Sequence, residues 1–350
     1  MRSFKIEKFG MPLCEAVEPT PVPTGTQVVV KITACGVCHS DVHLWDGYFD
    51  LGGGKKLAFG GGRADVLPLT LGHEPAGEVV AVGPDAKGVK IGDKGVVYPW
   101  IGCGDCSICK AGDEHLCNKP QALGIQKSGG YADHMLVPHP RYIVDFKPLP
   151  DTLACTYACS GVTAYSALLK AGKLGEKDPL LIIGAGGVGL AGVRLAKAVT
   201  GVAPYVADID PRKKDAALAA GAREFIDASQ ADAGRNFVKA TGGAAAAIDY
   251  VGGEASAQLG FNAIRKSGKL VVVGLFGGTF TTPVPMFVMR AVTVQGSYVG
   301  SLAEFKALRD LVVGGALPPM PIATRPLAEA GRTVEDLKAG KIVGRVVLQP

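Results

Sequence analysis

Leu180-Leu181-Ile182-Ile183-Gly184-Ala185-Gly186-Gly187-Val188-Gly189 decides how this chain folds. Four apolar residues run into a G-x-G-x-x-G loop, and a helical run follows from Leu190 to Val199. Asp208 lies nineteen residues beyond Gly189, at the end of the next apolar segment. Strand, glycine loop, helix and distant carboxylate together form a dinucleotide-binding fingerprint. Gly184, Gly186, Gly187 and Gly189 let backbone approach a pyrophosphate at the helix N-terminus, and Asp208 is placed for the adenosine ribose hydroxyls. A carboxylate there repels a 2′-phosphate, and Ile209 beside it offers no basic partner. The pattern favours NAD over NADP, although Arg212 and Lys213 lie close in sequence.

Outward from this motif the texture repeats. Between about 153 and 296, short apolar strands at 180–183, 203–208, 223–226, 246–250, 269–273 and 292–296 alternate with helical stretches. Asp210 and Pro211 read as N-cap and first helical residue, and Gly221 ends that helix. Six strands with helical crossovers predict an α/β unit, a doubly wound parallel sheet. Residues 1–152 differ, with β-branched runs such as Val28-Val29-Val30-Lys31-Ile32 and Glu78-Val79-Val80-Ala81-Val82 set between Gly and Pro turns. The tail, 297–350, carries two helical stretches and one strand, Lys341 to Leu348, and is expected to return to the first domain. The glycine-rich stretch 51–66 reads as a mobile loop of low complexity.

Composition sets the outer bounds. A chain of 350 residues fits two domains and buries enough surface to need no disulfides. Hydrophobic residues at 47% and charged residues at 20% exclude a disordered chain. Glycine, 49 residues, is about twice as frequent as the usual ~7%. A net charge of +5 with scattered basic residues gives no reason to expect a nucleic-acid partner. The start lacks the apolar core of a signal peptide. Leu270 to Met289 has no charge, but its three glycines, three threonines and two prolines suit two short buried strands and a turn better than a membrane span. The expected setting is the cytoplasm, where nine cysteines stay reduced and clustered ones point to metal.

Two such clusters stand out. Cys103, Cys106, Cys109 and Cys117 place four thiols within fifteen residues, enough to close a tetrahedral structural zinc site. An iron–sulfur run would set its fourth cysteine nearer and follow it with proline. The second cluster is dispersed: Cys35-Gly36-Val37-Cys38-His39-Ser40-Asp41-Val42-His43, then His73-Glu74, then Cys155 and Cys159. A catalytic zinc takes three protein ligands and keeps a fourth position open. Spacing alone leaves open whether Cys35 or Cys38, and Cys155 or Cys159, are ligands.

Gly36-Val37-Cys38-His39-Ser40-Asp41, Gly72-His73-Glu74-Pro75-Ala76-Gly77, the four-cysteine lobe, Cys159-Ser160-Gly161-Val162-Thr163 and Gly184–Gly189 come in the order of the zinc-dependent alcohol dehydrogenases. Over essentially its whole length the chain resembles that branch of the medium-chain dehydrogenase/reductase family. It is most similar to tetrameric microbial enzymes acting on primary, secondary and aromatic alcohols. The resemblance implies a GroES-like β-rich catalytic domain (1–152 and 297–350, with the zinc lobe 103–117) and a Rossmann domain (153–296). It implies two zincs per subunit and NAD. Cys38, His73 and Cys159 would bind the catalytic zinc, with Glu74 an exchanging ligand behind it and Asp41 orienting His73. Ser40 and His43 would relay the proton. His39, Lys213 and Arg345 would contact the cofactor, Thr163 would pack on the nicotinamide, and Val188 would hold that ring from behind. Trp45, Phe49 and Trp100 are expected to line a pocket for bulky alcohols, aldehydes or ketones. The expected assembly is a homotetramer or dimer, with a sheet-edge contact through 292–300.

Three other readings compete. A polyol dehydrogenase of the superfamily would carry glutamate in place of Cys159. A zinc-free quinone or enone reductase would lack the ligand set. A non-catalytic NAD-binding redox sensor, releasing zinc on thiol oxidation, would not need Ser40 and His43.

Overall fold

The computed structural model describes residues 1–62, 66–315 and 317–350. Its nucleotide half is a six-stranded sheet in the order Glu224–Asp227, Tyr205–Asp208, Leu180–Ile183, Ala244–Asp249, Ile264–Val272, Thr293–Gly296. Every neighbouring pair is parallel. Leu180–Ile183 is wholly buried because helices cover both faces of such a sheet. The strand order reverses between Leu180–Ile183 and Ala244–Asp249, which opens a crevice at their carboxyl ends.

Three of the loop's four glycines each have their own reason. Gly184 takes φ +92° to turn the chain out of its strand. At Gly189 a Cβ would stand 1.8 Å from the Gly184 carbonyl oxygen, so this glycine sets how closely helix Gly187–Thr200 approaches the strand. A Cβ at Gly187 would meet Arg345 Cδ at 2.7 Å. Gly186 has neither constraint, with ordinary φ and no atom within 4 Å of the position a Cβ would take.

The other half centres on Val28–Gly36. Its sheet runs Ile143–Val144, Lys94–Val97, Pro75–Val82, Val28–Gly36, Arg345–Gln349, Ile322–Pro326, and His134–Val137 also pairs with Val28–Gly36. The last strand is antiparallel to Val28–Gly36, with Val347 opposite Gly36. Ile322–Pro326, absent from the sequence reading, pairs parallel to it at the sheet edge. Tail helix Leu302–Gly314 is capped by Ser301 and Glu304 in reciprocal hydrogen bonds and buries Phe305 and Leu308 in the core.

Two expectations need correction. Residues 51–66 are not simply irregular: Tyr48–Gly52 pairs antiparallel with Lys55–Ala58 in a hairpin. Gly53 and Gly54, both at positive φ, supply the two-residue turn that matches strand twist. A short 3-10 turn, Phe59–Gly62, follows, and residues 63–65 lie outside the described residues. The uncharged run 270–289 holds one strand end, a loop and the helix Val284–Arg290 rather than two buried strands. Pro283 and Pro285 suit a first helical turn, where no amide hydrogen is required.

Gly189→Ala is expected to destabilise the chain by about 1–3 kcal/mol through overpacking, whereas Gly186→Ala stays within roughly 0.5 kcal/mol. Denaturant unfolding of the two variants checks this, and equal losses would contradict the packing reason given for Gly189.

Candidate active site

Between the halves lies a cleft of about 420 Å³. Cys38, Ser40, Trp100, Cys159, Thr163 and Val188 are among the residues at its surface. Cys38 caps the helix His39–Asp46, which therefore presents Ser40 and His43 three residues apart on one face. His73 enters from the turn before Pro75–Val82, and Cys159 from the residue before helix Ser160–Ala171.

Cys38, His73 and Cys159 come together, each fully or almost fully buried, their ligand atoms within 4.8 Å of one another. The Cys38 and Cys159 sulfurs are 3.8 Å apart. Tetrahedral zinc with Zn–S near ~2.3 Å requires about that separation. The His73 ring is held by Asp41 Oδ1, 3.2 Å from Nδ1, while its buried Nε2 has no hydrogen-bond partner. A carboxylate on one nitrogen with the other left free is how a ligand histidine is oriented. Asp41 is itself fixed, Oδ2 accepting from the Cys38 amide and the Tyr131 hydroxyl, each at 2.9 Å. Tyr131 was not singled out in the sequence, because its phenol is brought here only by the fold. The hydrogen bond with Cys159, helped by His73, holds Cys38 well below the usual range, while the same bond and burial push Cys159 up. Cys35 and Cys155 are buried nearby but outside this triad.

Glu74 lies behind the triad, one carboxylate oxygen accepting from the Ser160 amide at 3.1 Å and the other paired with buried Arg345. Burial raises its pKa to about 7 even though Arg345 opposes that rise. A Cβ at Gly36 would stand 1.9 Å from Glu74, so glycine is required there.

The four-cysteine lobe is equally suited to metal. Sulfur separations of 3.5 Å (Cys106–Cys109) and 3.9 Å (Cys103–Cys109, Cys106–Cys117) are those of ligands, not of disulfides, and all nine cysteines are free. Backbone amides of Cys103, Cys109 and Lys119 point at its sulfurs. Hydrogen bonds from the Asp105 and Cys106 amides pull the Cys103 thiol down to about 6, while burial pushes Cys109 up to about 12.

On the nucleotide side, Arg345 Nε and Thr163 Oγ1 are buried without partners. The open face of Gly186 and the unpaired amides of a helix N-terminus complete an anion-binding corner. Asp208 is more engaged than the sequence suggested. Its Oδ2 accepts from the Ala185 amide at 2.7 Å, its Oδ1 from the Asp210 amide at 2.9 Å, and Lys213 Nζ bridges both oxygens. Arg212 instead pairs with Asp210.

His39, His43, Phe49, Trp100 and Val188 all reach the cleft, but Trp45 does not. Trp45 points away from it, giving its indole N–H to the Met11 carbonyl with Lys338 over its ring. The residues 48–59 supply Leu57 and Phe59 to the wall, and the 274–276 loop supplies Phe276, none of them predicted. Tyr298, near Trp100 with ring centroids 5.9 Å apart, was also missed. Of these only Phe59 and Phe276, each followed by a glycine, carried even a local signal in the sequence.

Two family profiles match, the alcohol dehydrogenase GroES-like domain over residues 24–150 and the zinc-binding dehydrogenase over residues 187–314. The chain is 39% identical to an NAD-dependent alcohol dehydrogenase of Sulfurisphaera tokodaii and 37% identical to one of Saccharolobus solfataricus, each covered over its full length along with this chain. The crystal structure of the Aeropyrum pernix alcohol dehydrogenase superposes with TM-score 0.87 at 28% identity, all of both chains covered. The chain belongs to the zinc-binding alcohol dehydrogenases. It is an oxidoreductase of that family, with its GroES-like and Rossmann halves. Among the described residues, no helix is long and apolar enough to cross a membrane.

Metal analysis should find two equivalents of zinc per chain. Cys103→Ser should lose the lobe equivalent and lower the melting temperature, while the cleft equivalent stays. Loss of both from this one variant would mean the two sites are not independent.

Proposed function

We propose that this alcohol dehydrogenase catalyses reversible hydride transfer between an alcohol and NAD, giving aldehyde or ketone and NADH. The observation that carries the reading is a three-ligand buried triad opening onto the same cleft as the dinucleotide loop. Cys38, His73 and Cys159 would hold the catalytic zinc, and Cys103, Cys106, Cys109 and Cys117 the structural one. Zinc supplies Lewis-acid polarisation of the alcohol or carbonyl oxygen, and NAD accepts or returns the hydride.

The chain's own residues do the rest. Ser40 Oγ, 3.9 Å from Cys38 Sγ, takes the proton from the alcohol hydroxyl. His43 passes it outward; burial, with His39 beside it, lowers its pKa, so the imidazole is neutral and able to accept at neutral pH. Thr163 and Val188 seat the nicotinamide, and Arg345, His39 and the Gly184–Gly189 loop receive the pyrophosphate. Asp208, with Lys213 fixing it, faces the adenosine ribose and disfavours NADP. Phe49, Trp100 and the unforeseen Leu57, Phe59 and Tyr298 make most of the wall apolar, which suits alcohols with an aliphatic or aromatic body. Free cysteines throughout fit a reducing compartment, the cytoplasm.

The test is the appearance of NADH absorbance from NAD⁺ across aliphatic, secondary, cyclic, aromatic and polyol substrates. Turnover should vanish in Cys38→Ser. Ser40→Ala should keep zinc but slow oxidation roughly a hundredfold or more, the scale of general acid–base catalysis. Turnover confined to polyols, or undiminished in Ser40→Ala, would contradict this assignment.

A homo-oligomer is part of the same reading. Strand Thr293–Gly296 is an uncovered sheet edge with all four residues exposed. Beside it the helix Val284–Arg290 presents Val284 and Val288, 75% and 78% exposed. Of the expected contact 292–300, Ser297 and Val299 are already buried within the chain, so the part free to meet a partner is 293–296 with Tyr298, 48% exposed. A second copy pairing edge to edge about a two-fold axis covers both features. Light scattering should give a dimer or tetramer, and Val288→Asp should shift it toward smaller species. A monomeric unmodified protein would rule the contact out.

A further inference from the structure

Phe276 sits on the loop after Ile264–Val272, in the nucleotide half, yet its ring lies against histidines of the other half. It stacks on His39 with centroids 4.5 Å apart and 28° between planes. It meets His43 edge-on at 6.5 Å. His39 and His43 touch each other at 5.4 Å, and Phe49 of the hairpin closes the row against His43 at 5.2 Å. Hydrogen bonds among the described residues place no partner on either imidazole, so these ring contacts orient both.

The loop bearing Phe276 is fixed from two sides. On its own side Asp249 Oδ1 accepts from the amides of Val251 and Gly252, and Oδ2 accepts from Ser256. The turn so held accepts from the amides of Phe276 (Val251 O, 3.2 Å) and Gly277 (Gly252 O, 3.0 Å). On the far side a Cβ at Gly277 would stand 2.4 Å from the Asp50 carbonyl oxygen, and one at Gly52 2.7 Å from the Gly278 backbone. Glycine at these positions lets the hairpin and the loop meet backbone to backbone. Phe276 itself is 54% exposed, so core packing does not account for a phenylalanine here.

We propose that Phe276 is a positioning residue, which by stacking on His39 holds the paired imidazoles in the orientation that receives the cofactor's pyrophosphate and passes the proton outward. This rests on the roles assigned above to His39 and His43. A face-on ring restrains the imidazole from turning about its side-chain bond and leaves its edge, which carries both nitrogens, uncovered. An aliphatic side chain supplies bulk without that plane. Because Phe276 comes from one half and the histidines from the other, the relay is assembled only when the hairpin and the loop are in contact.

NADH binding to zinc-loaded, full-length protein, followed by nucleotide fluorescence, tests this without a substrate. Phe276→Ala should weaken NADH by roughly tenfold, the upper range for one aromatic pair, with an unchanged melting curve. Phe276→Tyr should bind within about twofold of the unmodified chain, since it keeps the stacking face. The double variant Phe276→Ala/His39→Ala should bind no more weakly than His39→Ala alone, because the first residue acts through the second. Fully additive losses, or Phe276→Ala binding as the unmodified chain does, would overturn the inference. If no alcohol turned over, the alcohol reading would fail while this comparison of NADH affinities kept its meaning.

Discussion

A buried guanidinium has to be paired, and much of this molecule is arranged around the pairing of Arg345. The residue is 3% exposed, opens the last strand, and meets Glu74 directly behind the metal triad. Its side chain passes the start of the helix Gly187–Thr200, where only a glycine leaves room. Gly36 is kept bare by Glu74 for the same reason. Removing either partner of such a pair strands a charge at a cost of about 3–5 kcal/mol. The tail therefore has to cross back to the first sheet, because Val28–Gly36 and its neighbours carry the site that the guanidinium serves. One ion pair thus joins the last strand, the metal triad and the nucleotide loop.

The two cysteine clusters suit one coordination chemistry but arise differently. The lobe draws four thiols from fifteen residues, so local turns and backbone amides suffice to preform it. The triad draws Cys38, His73 and Cys159 from three separate elements, and needs the whole sheet to bring them within reach. Each cluster has a buried carboxylate beside it, Glu114 in the lobe and Asp41 and Glu74 at the triad, but only at the triad does one hold a ligand ring. Asp41 sets the ring of His73, and Glu74 pairs with Arg345 one layer deeper. A site assembled from distant segments is held in place by second contacts, or it is not held at all.

How much was legible in the sequence follows the same division. Six strands of the nucleotide sheet stood out. The inner ones, such as Leu180–Ile183, did so because a strand buried on both faces is written as a plain apolar run. The outer ones, Glu224–Asp227 and Thr293–Gly296, did so by their regular alternation with helical stretches. The lobe and the glycine loop were equally plain, since their chemistry demands residue types at short spacing. Within the triad, spacing could not choose Cys38 over Cys35, or Cys159 over Cys155; family resemblance made that choice, and the geometry groups the same three residues. The hairpin 48–58 was hidden because glycines that make a turn also look like a linker. Helix Val284–Arg290 was hidden because its exposed apolar residues carry no amphipathic pattern against its own chain. Trp45 was misplaced for a simpler reason: from sequence, an aromatic beside a site cannot be assigned to the inner or outer face of a short helix.

Glycine, the compositional anomaly, accounts for both kinds of contact that make the cleft. Gly189 and Gly192 bring the helix Gly187–Thr200 close to its sheet, the latter against the ring of Tyr250. Gly52, Gly277 and Gly278 let the two halves touch across the cleft mouth. Between these approaches much of the lining is apolar, while Cys38, Ser40, Cys159 and Thr163, with His39 and His43, bring polar atoms to the cleft. Such a division has a chemical consequence. Polar groups are costly to leave unpaired in apolar surroundings, so a molecule with one oxygen and a hydrocarbon body fits here in a single orientation, oxygen down. The close backbone contacts that glycine permits thus do more than save space. They set the narrow shape in which an apolar wall faces the polar side chains.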